Sequence, residues 1–258
     1  YIYGRQSCDT RSMESGSIDV GNASFSGQEA MVILDDVFVP WRHVFMDGEY
    51  EFASMLVERF TCYHRRSYVC KTGVGDVLIG AAAQVAEYNG ADNASHVKDK
   101  LVQMTHLNET MYAAGIASSH QAKATKSGAY LNDDMLANVC KHHVTKMPFE
   151  IGRLAQDLAG GLVSTAPSEK ELEHPELRAL LEKYLKGRAD VPTKARLRIL
   201  RLIENMTMGR NAVGYLTESL HGAGSPQAQR IQIGRQMGLD FKKKLARRLA
   251  GLDSDVDD

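Results

Sequence analysis

The sequence is poor in most of the features that would announce a class. It has only four cysteines, Cys8, Cys62, Cys70 and Cys140, and no CxxC pair. That excludes a disulfide scaffold and points to a reduced, cytoplasmic chain. It has no excess of charge: 31 basic residues against 32 acidic ones leave a net charge of −1. The basic residues form no long stripe, so nucleic acid is not an expected partner. No apolar run approaches the roughly 20 residues of a membrane span, so no membrane is expected either. Walker A and Rossmann fingerprints are both lacking, so any nucleotide cofactor must be held in another way. There is no internal repeat and no low-complexity segment. The opening Tyr1-Ile-Tyr-Gly-Arg-Gln6 has neither an initiator Met nor signal-peptide character, so the natural N-terminus is expected to lie upstream. What remains, 258 residues of which 43% are apolar and 24% charged, is an ordinary globular balance for one large domain or two small ones.

What is present divides near residue 46. Residues 1–46 read as strands and turns. Their strongest feature is Glu29-Ala-Met-Val-Ile-Leu-Asp-Asp-Val-Phe-Val-Pro40, a strand pair punctuated by Asp35-Asp36 and closed by Pro40. Trp41 is expected to anchor the passage into the second domain, residues 47–258, where helical periodicity dominates. Expected helices cover about 51–63, the His64 segment to Asn89-Gly90, about 94–127 and, capped by Asp133 or Asp134, a stretch through Lys146. Three more follow: about 149–158, stopped by Gly160-Gly161, then about 193–220 and 226–249. The architecture expected is mainly α: a helical bundle built from five or six of these helices, preceded by the end of a small β domain.

Three stretches have the residue types of a site. In His64-Arg-Arg-Ser-Tyr-Val-Cys-Lys71, His64 and Tyr68 are four apart and Lys71 is seven from His64, so all three approach one helix face. Such a set suits acid–base work around a substrate, and it also suits a hydrogen-bonded His in an amphipathic helix. Cys70, six residues on, falls about 120° from His64 on a regular helix, so joint ligation of a metal needs an irregular turn. Gln156-Asp-Leu-Ala-Gly-Gly161 puts glycines where backbone amides can approach a phosphate, or where a helix merely stops. Thr217-Glu-Ser-Leu-His-Gly-Ala-Gly-Ser-Pro-Gln-Ala-Gln-Arg230 sets Glu218 and His221 at a helix break before a helix N-terminus suited to an anion. There the two side chains alternatively just pair with each other. Cys140-Lys-His-His143 looks like a metal cluster only superficially, because adjacent histidines diverge on a helix.

These stretches, with Tyr3-Gly-Arg-Gln-Ser-Cys-Asp-Thr-Arg11 and His143–Gly161, resemble the 4-hydroxybutyryl-CoA dehydratase/vinylacetyl-CoA Δ-isomerase family, over nearly the whole chain but only the C-terminal half of a family member. The resemblance implies an acyl-CoA dehydrogenase-like fold, a homotetramer, FAD and a [4Fe–4S] cluster. It implies a radical dehydration of 4-hydroxybutyryl-CoA to crotonyl-CoA with a companion isomerisation of vinylacetyl-CoA. Carried over residue by residue, His64 is a cluster ligand and base and Cys70 a second ligand. Tyr68 and Lys71 are their active-site neighbours, and Glu29 and Glu218 are carboxylates near the acyl-CoA substrate. Gln156, Gly160 and Gly161 hold the FAD of a neighbouring subunit, and Gly222, Ser225 and Gln227 stand beside flavin. The chain departs from the family in spacing: six residues separate His64 from Cys70, where the family has seven, because Val69 alone stands in place of two glycines. The other cluster cysteines belong to the family's N-terminal half, which a second polypeptide or the missing part of this chain would supply. A clusterless flavin-dependent aromatic monooxygenase related to 4-hydroxyphenylacetate 3-hydroxylase, and a non-catalytic helical subunit, are the competing readings.

Overall fold

The computed structural model describes residues 1–4, 18 and 30–252. Of the β region it contains two short antiparallel strands, β1 (Ile2–Gly4) and β2 (Ala30–Val32), paired Ile2 to Val32 and Gly4 to Ala30. Asp36, with φ of +50°, makes the expected turn after β2. Residues 37–39 form no strand, so the run from Glu29 to Pro40 yields one strand and not a pair. Trp41 opens a single 3-10 turn and is 73% exposed; it anchors nothing among the described residues.

The helical part begins with α1 (Ala53–Ser67), which a 3-10 turn at Tyr68–Cys70 joins to α2 (Lys71–Tyr88). α2 is the core helix. Leu78, Ala81, Ala82, Val85 and Ala86 recur at three and four and are all buried. They pack against α3 (Ser95–His120), α5 (Met147–Ala159) and α9 (Thr193–Thr207). A window within residues 50–88 passes a membrane-span test by length and composition only, and 44% of it is buried inside the protein. α4 (Asp134–Val144) lies across α1 and α3, and Asp133 caps it by accepting from the Leu136 amide at 2.8 Å.

Several expected boundaries move. α3 ends at His120, and a tight hairpin of β3 (Lys123–Ala124) and β4 (Tyr130–Leu131) follows, turning at Gly128. Pro148 begins α5 instead of kinking it, where its missing N–H costs nothing. Three helices not expected at all, α6 (Leu162–Thr165), α7 (Glu169–Glu173) and α8 (Pro175–Tyr184), fill the stretch before α9. The expected helix 193–220 breaks at Met208-Gly209 into α9, then α10 (Arg210–Ala212), a π turn at Val213–Thr217 and α11 (Glu218–His221). The expected helix 226–249 breaks at Gly238, φ +58°, into α12 (Pro226–Gln236) and α13 (Leu239–Leu249).

Candidate active site

The candidate site is a cluster of side chains where the α1–α2 junction meets α4 and the 213–224 segment. His64 sits on the last turn of α1, its ring 5.2 Å edge-on to Phe60 and 5.3 Å from the Tyr68 ring. Its Nδ1 is buried and has no hydrogen-bond partner among the described residues. Tyr68 begins the 3-10 turn and is buried. Lys71 follows, buried, and its Nζ donates to the Gly214 carbonyl at 2.8 Å and to Glu218 Oε2 at 3.2 Å. The π turn opens the helical ladder around Gly214, which is where a foreign donor can reach a carbonyl. Glu218 therefore pairs with Lys71, 147 positions away, while His221, its expected i,i+3 partner, is exposed.

The 3-10 turn also changes the relation of His64 to Cys70. Three of the six steps between them advance by about 120° where α-helical steps advance by about 100°. The angle closes from about 120° to roughly 60°. Cys70 is exposed and its thiol is free. By this count His64 and Cys70 lie about 60° apart around the helix axis. Among the described residues, no three His, Cys, Asp or Glu side chains gather as a metal site. Cys62 and Cys140 are not candidates. Their sulfurs donate to backbone carbonyls, Cys62 to Asn132 at 3.2 Å, Cys140 to Met111 at 3.8 Å. Burial pushes the Cys62 thiol up to about 12 and the Cys140 thiol up to about 11. His142 and His143 are held below the usual imidazole range, first by burial and next by Lys146.

Two cations that sequence reasoning passed over complete the pocket. Arg65 is buried; its Nε donates to the Ala223 carbonyl at 3.0 Å and its guanidinium to Asn138 Oδ1 at 2.7 Å. Asn138 in turn donates to Asp134 Oδ1 at 3.1 Å. Lys141 is fully buried on α4, donates to the Ser219 carbonyl, and holds its Nζ 4.5 Å from the centre of the Tyr68 ring. Burial, then the charges of Arg65 and Lys71, bring it down to about 8. Its signal was in the sequence: Ala137, Cys140, Lys141 and Val144 form one buried stripe, and a lysine on such a stripe is out of place.

The turn after α11 is irregular because Arg65 reads it. Ala223 and Gly224 have φ of +56° and +99°, which points the Ala223 carbonyl at the guanidinium. Gly222 is a glycine for a local reason: a β-carbon there would overlap the Tyr68 hydroxyl. Ser225 and Gln227 lie exposed at the start of α12, on the surface side of this turn. Gln156, Gly160 and Gly161 stand apart, at the C-terminal end of α5. Gly160 has φ of +70°, and both glycines face open space. Glu29 lies outside the described residues.

The family HpaB, 4-hydroxyphenylacetate 3-hydroxylase C terminal, matches residues 53–251. The chain is 54% identical, over 97% of its length, to 4-hydroxybutyryl-CoA dehydratase/vinylacetyl-CoA-Delta-isomerase of Clostridium aminobutyricum, of which it covers 53%. It is 28% identical over 70% of its length to the oxygenase component of 4-hydroxyphenylacetate 3-monooxygenase from Thermus thermophilus, covering 38% of it. Among solved structures, an oxygen-tolerant archaeal 4-hydroxybutyryl-CoA dehydratase from N. maritimus superposes with a TM-score of 0.93 at 71% identity, over 100% of this chain and 52% of that one. An oxygenase component of 4-hydroxyphenylacetate 3-monooxygenase complexed with FAD and 4-hydroxyphenylacetate gives 0.77 at 25% identity, over 86% of this chain and 47% of that one. The chain thus spans about half the length of the first of these relatives.

Proposed function

Since the chain belongs to the 4-hydroxyphenylacetate 3-hydroxylase C-terminal family and resembles 4-hydroxybutyryl-CoA dehydratase along nearly all of its length, we propose that it forms the C-terminal half of such an enzyme. The reaction proposed is dehydration of 4-hydroxybutyryl-CoA to crotonyl-CoA, with isomerisation of vinylacetyl-CoA. One observation carries it: His64, Tyr68, Lys71 and Glu218, drawn from the α1–α2 junction and a segment some 147 positions later, form one chain of contacts. The monooxygenase alternative is the weaker one, since the Thermus thermophilus oxygenase component is only 28% identical.

In this scheme the orphaned His64 imidazole is a proton acceptor. Glu218, whose side chain is 42% exposed beside a Lys71 side chain that is 11% exposed, accepts a proton at the pocket mouth and passes it to solvent. Lys71 and Tyr68 orient the polar end of the acyl group. A [4Fe–4S] cluster ligated by His64 and Cys70, with cysteines of the other half, would supply a Lewis-acidic iron for the departing hydroxyl, and FAD would supply electron exchange. Gln156, Gly160 and Gly161 are assigned to FAD of a neighbouring subunit in a tetramer, because the two glycines leave open space at a helix end. Gly222, Ser225 and Gln227 are assigned to the flavin edge of the turn.

Residues 1–46 are read as the end of a β domain and 47–258 as an acyl-CoA dehydrogenase-like helical domain. The N-terminal half of the curated relative, which this chain does not cover, is assigned either to an upstream part of the same protein or to a separate polypeptide. A cytoplasmic location fits the free thiols of Cys62, Cys70 and Cys140.

The deciding experiment is anaerobic purification with the other half, followed by an ultraviolet–visible spectrum, iron and sulfide assays, and conversion of 4-hydroxybutyryl-CoA. Flavin bands with about four irons per site and crotonyl-CoA formation are expected. Flavin without iron would remove the cluster from the scheme, and loss of both chromophores would remove the catalytic assignment.

A further inference from the structure

We propose that Lys141 is a positioning residue of this pocket: a buried ammonium held beside the Tyr68 ring whose field favours the enolate of a bound acyl thioester over its neutral form. The proposal rests on the acyl-CoA reading above, but concerns a residue which that reading does not use.

Three cations converge on the pocket, and they are not alike. Lys71 has a carboxylate, Glu218, at 3.2 Å. Arg65 reaches Asp134 through Asn138. Among the described residues, Lys141 has no carboxylate in ion-pair contact. Among those residues its ammonium meets the Ser219 carbonyl and the Tyr68 ring. It is also the most deeply buried of the three. A buried charge without a counter-charge is costly, and a well-packed apolar residue of similar size would spare the cost. The bundle nevertheless builds a place for it, with Tyr68 and the carbonyl end of α11 as walls. The missing counter-charge is then one that arrives with the substrate.

The proposed chemistry forms such a charge. When the α C–H bond of the thioester breaks, the proton passes to a base of the pocket and the electron pair is delocalised onto the thioester oxygen. Of the charged groups facing Lys141, Arg65 and Lys71 add to its positive field and Glu218 offsets it, as the Cys140 thiol would if it ionised. Lys141 is fully buried, behind the Tyr68 ring and the α11 backbone. It acts through the low-dielectric layer of the Tyr68 ring and the α11 backbone, where a single charge acts over several ångströms.

The test uses the assembled enzyme and two thioesters, acetoacetyl-CoA, which enolises readily, and butyryl-CoA, which does not. Wild-type protein is expected to hold part of the bound acetoacetyl-CoA as enolate, read from its ultraviolet band. Lys141→Met should lower the bound enolate-to-keto ratio about tenfold, with butyryl-CoA affinity unchanged. Lys141→Arg, which keeps the charge, should restore most of the ratio. An unchanged ratio in Lys141→Met overturns the inference. So does an equal loss of affinity for both thioesters in both variants, which would make Lys141 a packing residue. Wild-type enzyme that binds neither thioester would instead overturn the acyl-CoA reading itself. Should Lys141→Met fail to assemble, Lys141→Gln, which keeps a donor for the Ser219 carbonyl without the charge, answers the same question.

Discussion

The hydroxyl of Tyr68 occupies the space that a side chain on Gly222 would fill. The phenol of one segment and the bare Cα of another, 154 positions apart in sequence, are fitted to each other. Gly222 has φ of −59°, which any residue adopts, so the glycine is required by contact and not by conformation. Gly222→Ala must therefore move either Tyr68 or the 218–224 turn. A loss of about 1–3 kcal/mol in chemical denaturation is expected, with a changed Tyr68 environment in ring-proton spectra. An alanine variant with native stability and an unmoved Tyr68 would contradict the fit.

Gly115 on α3 supports the same junction from behind. A β-carbon there would lie 2.7 Å from the Val69 Cβ and 3.4 Å from the Cys140 sulfur. Gly115→Ala gains helix propensity but pushes Val69, the middle residue of the 3-10 turn. The expected net effect is destabilisation of about 1–2 kcal/mol and displacement of Cys70. The thiol-labelling rate of Cys70 reports the displacement separately from the stability.

Tyr215 is the opposite case. It is buried, its hydroxyl has no hydrogen-bond partner among the described residues, and burial raises its ionisation well above the usual phenol range. Tyr215→Phe removes an unsatisfied polar atom and keeps the ring. Stability should stay within about 1 kcal/mol of wild type or rise slightly. A loss of several kcal/mol in urea unfolding would show that a hidden partner exists.

Lys141 sets a pH signature on stability. Its folded value of about 8 lies below the ordinary 10.5, so between those values the unfolded chain binds the proton that the folded chain releases. Stability from this group therefore rises with pH across that interval and is lowest below it. Arg65, Lys71, Cys140 and Glu218 face the same ammonium and are common to both proteins compared. Lys141→Met should flatten that rise in urea titrations at neutral and at about pH 10. Identical slopes in the two proteins would mean that Lys141 keeps its proton throughout.

Glu218→Gln tests the proposed catalytic role. The pair with Lys71 is half open to solvent on the Glu218 side, so the stability change should be under about 1 kcal/mol. If Glu218 handles a proton, turnover of 4-hydroxybutyryl-CoA falls by about 10²-fold or more. A glutamine variant with wild-type turnover would leave Glu218 as a partner for Lys71 and nothing else.

The core was readable because α2 announces itself through Leu78, Ala81, Ala82 and Val85, and α4 through the cap at Asp133. The breaks at Gly209 and Gly238 were not, because apolar periodicity runs on through both and conceals them. The stretch before α9 offered Ser168 with Glu171 as a capping box and Pro175 as a helix start, short-range signals that a search for long periodic runs passes over. Within the site, the His64–Tyr68–Lys71 face was legible because helical spacing is local. The partner of Lys71 was not, because no spacing rule reaches 147 positions. Lys141 was legible in principle, as a cation on an apolar stripe.

The π turn at Val213–Thr217 makes this segment intolerant of any change in length. A π turn holds one residue more than the α turn it replaces. Deleting any one residue between 213 and 217 would let the backbone relax into a regular helix, more comfortable in itself. Everything after it would then rotate by about 100° and shift by about 1.5 Å. Glu218 would swing off Lys71, the Gly214 carbonyl would withdraw into the helical ladder, and Gly222 would no longer stand opposite Tyr68. Substitutions here can be graded, but indels cannot: sequences that share this cluster should keep Glu218 and Gly222, vary in letters at the other positions of 213–222, and never vary in number.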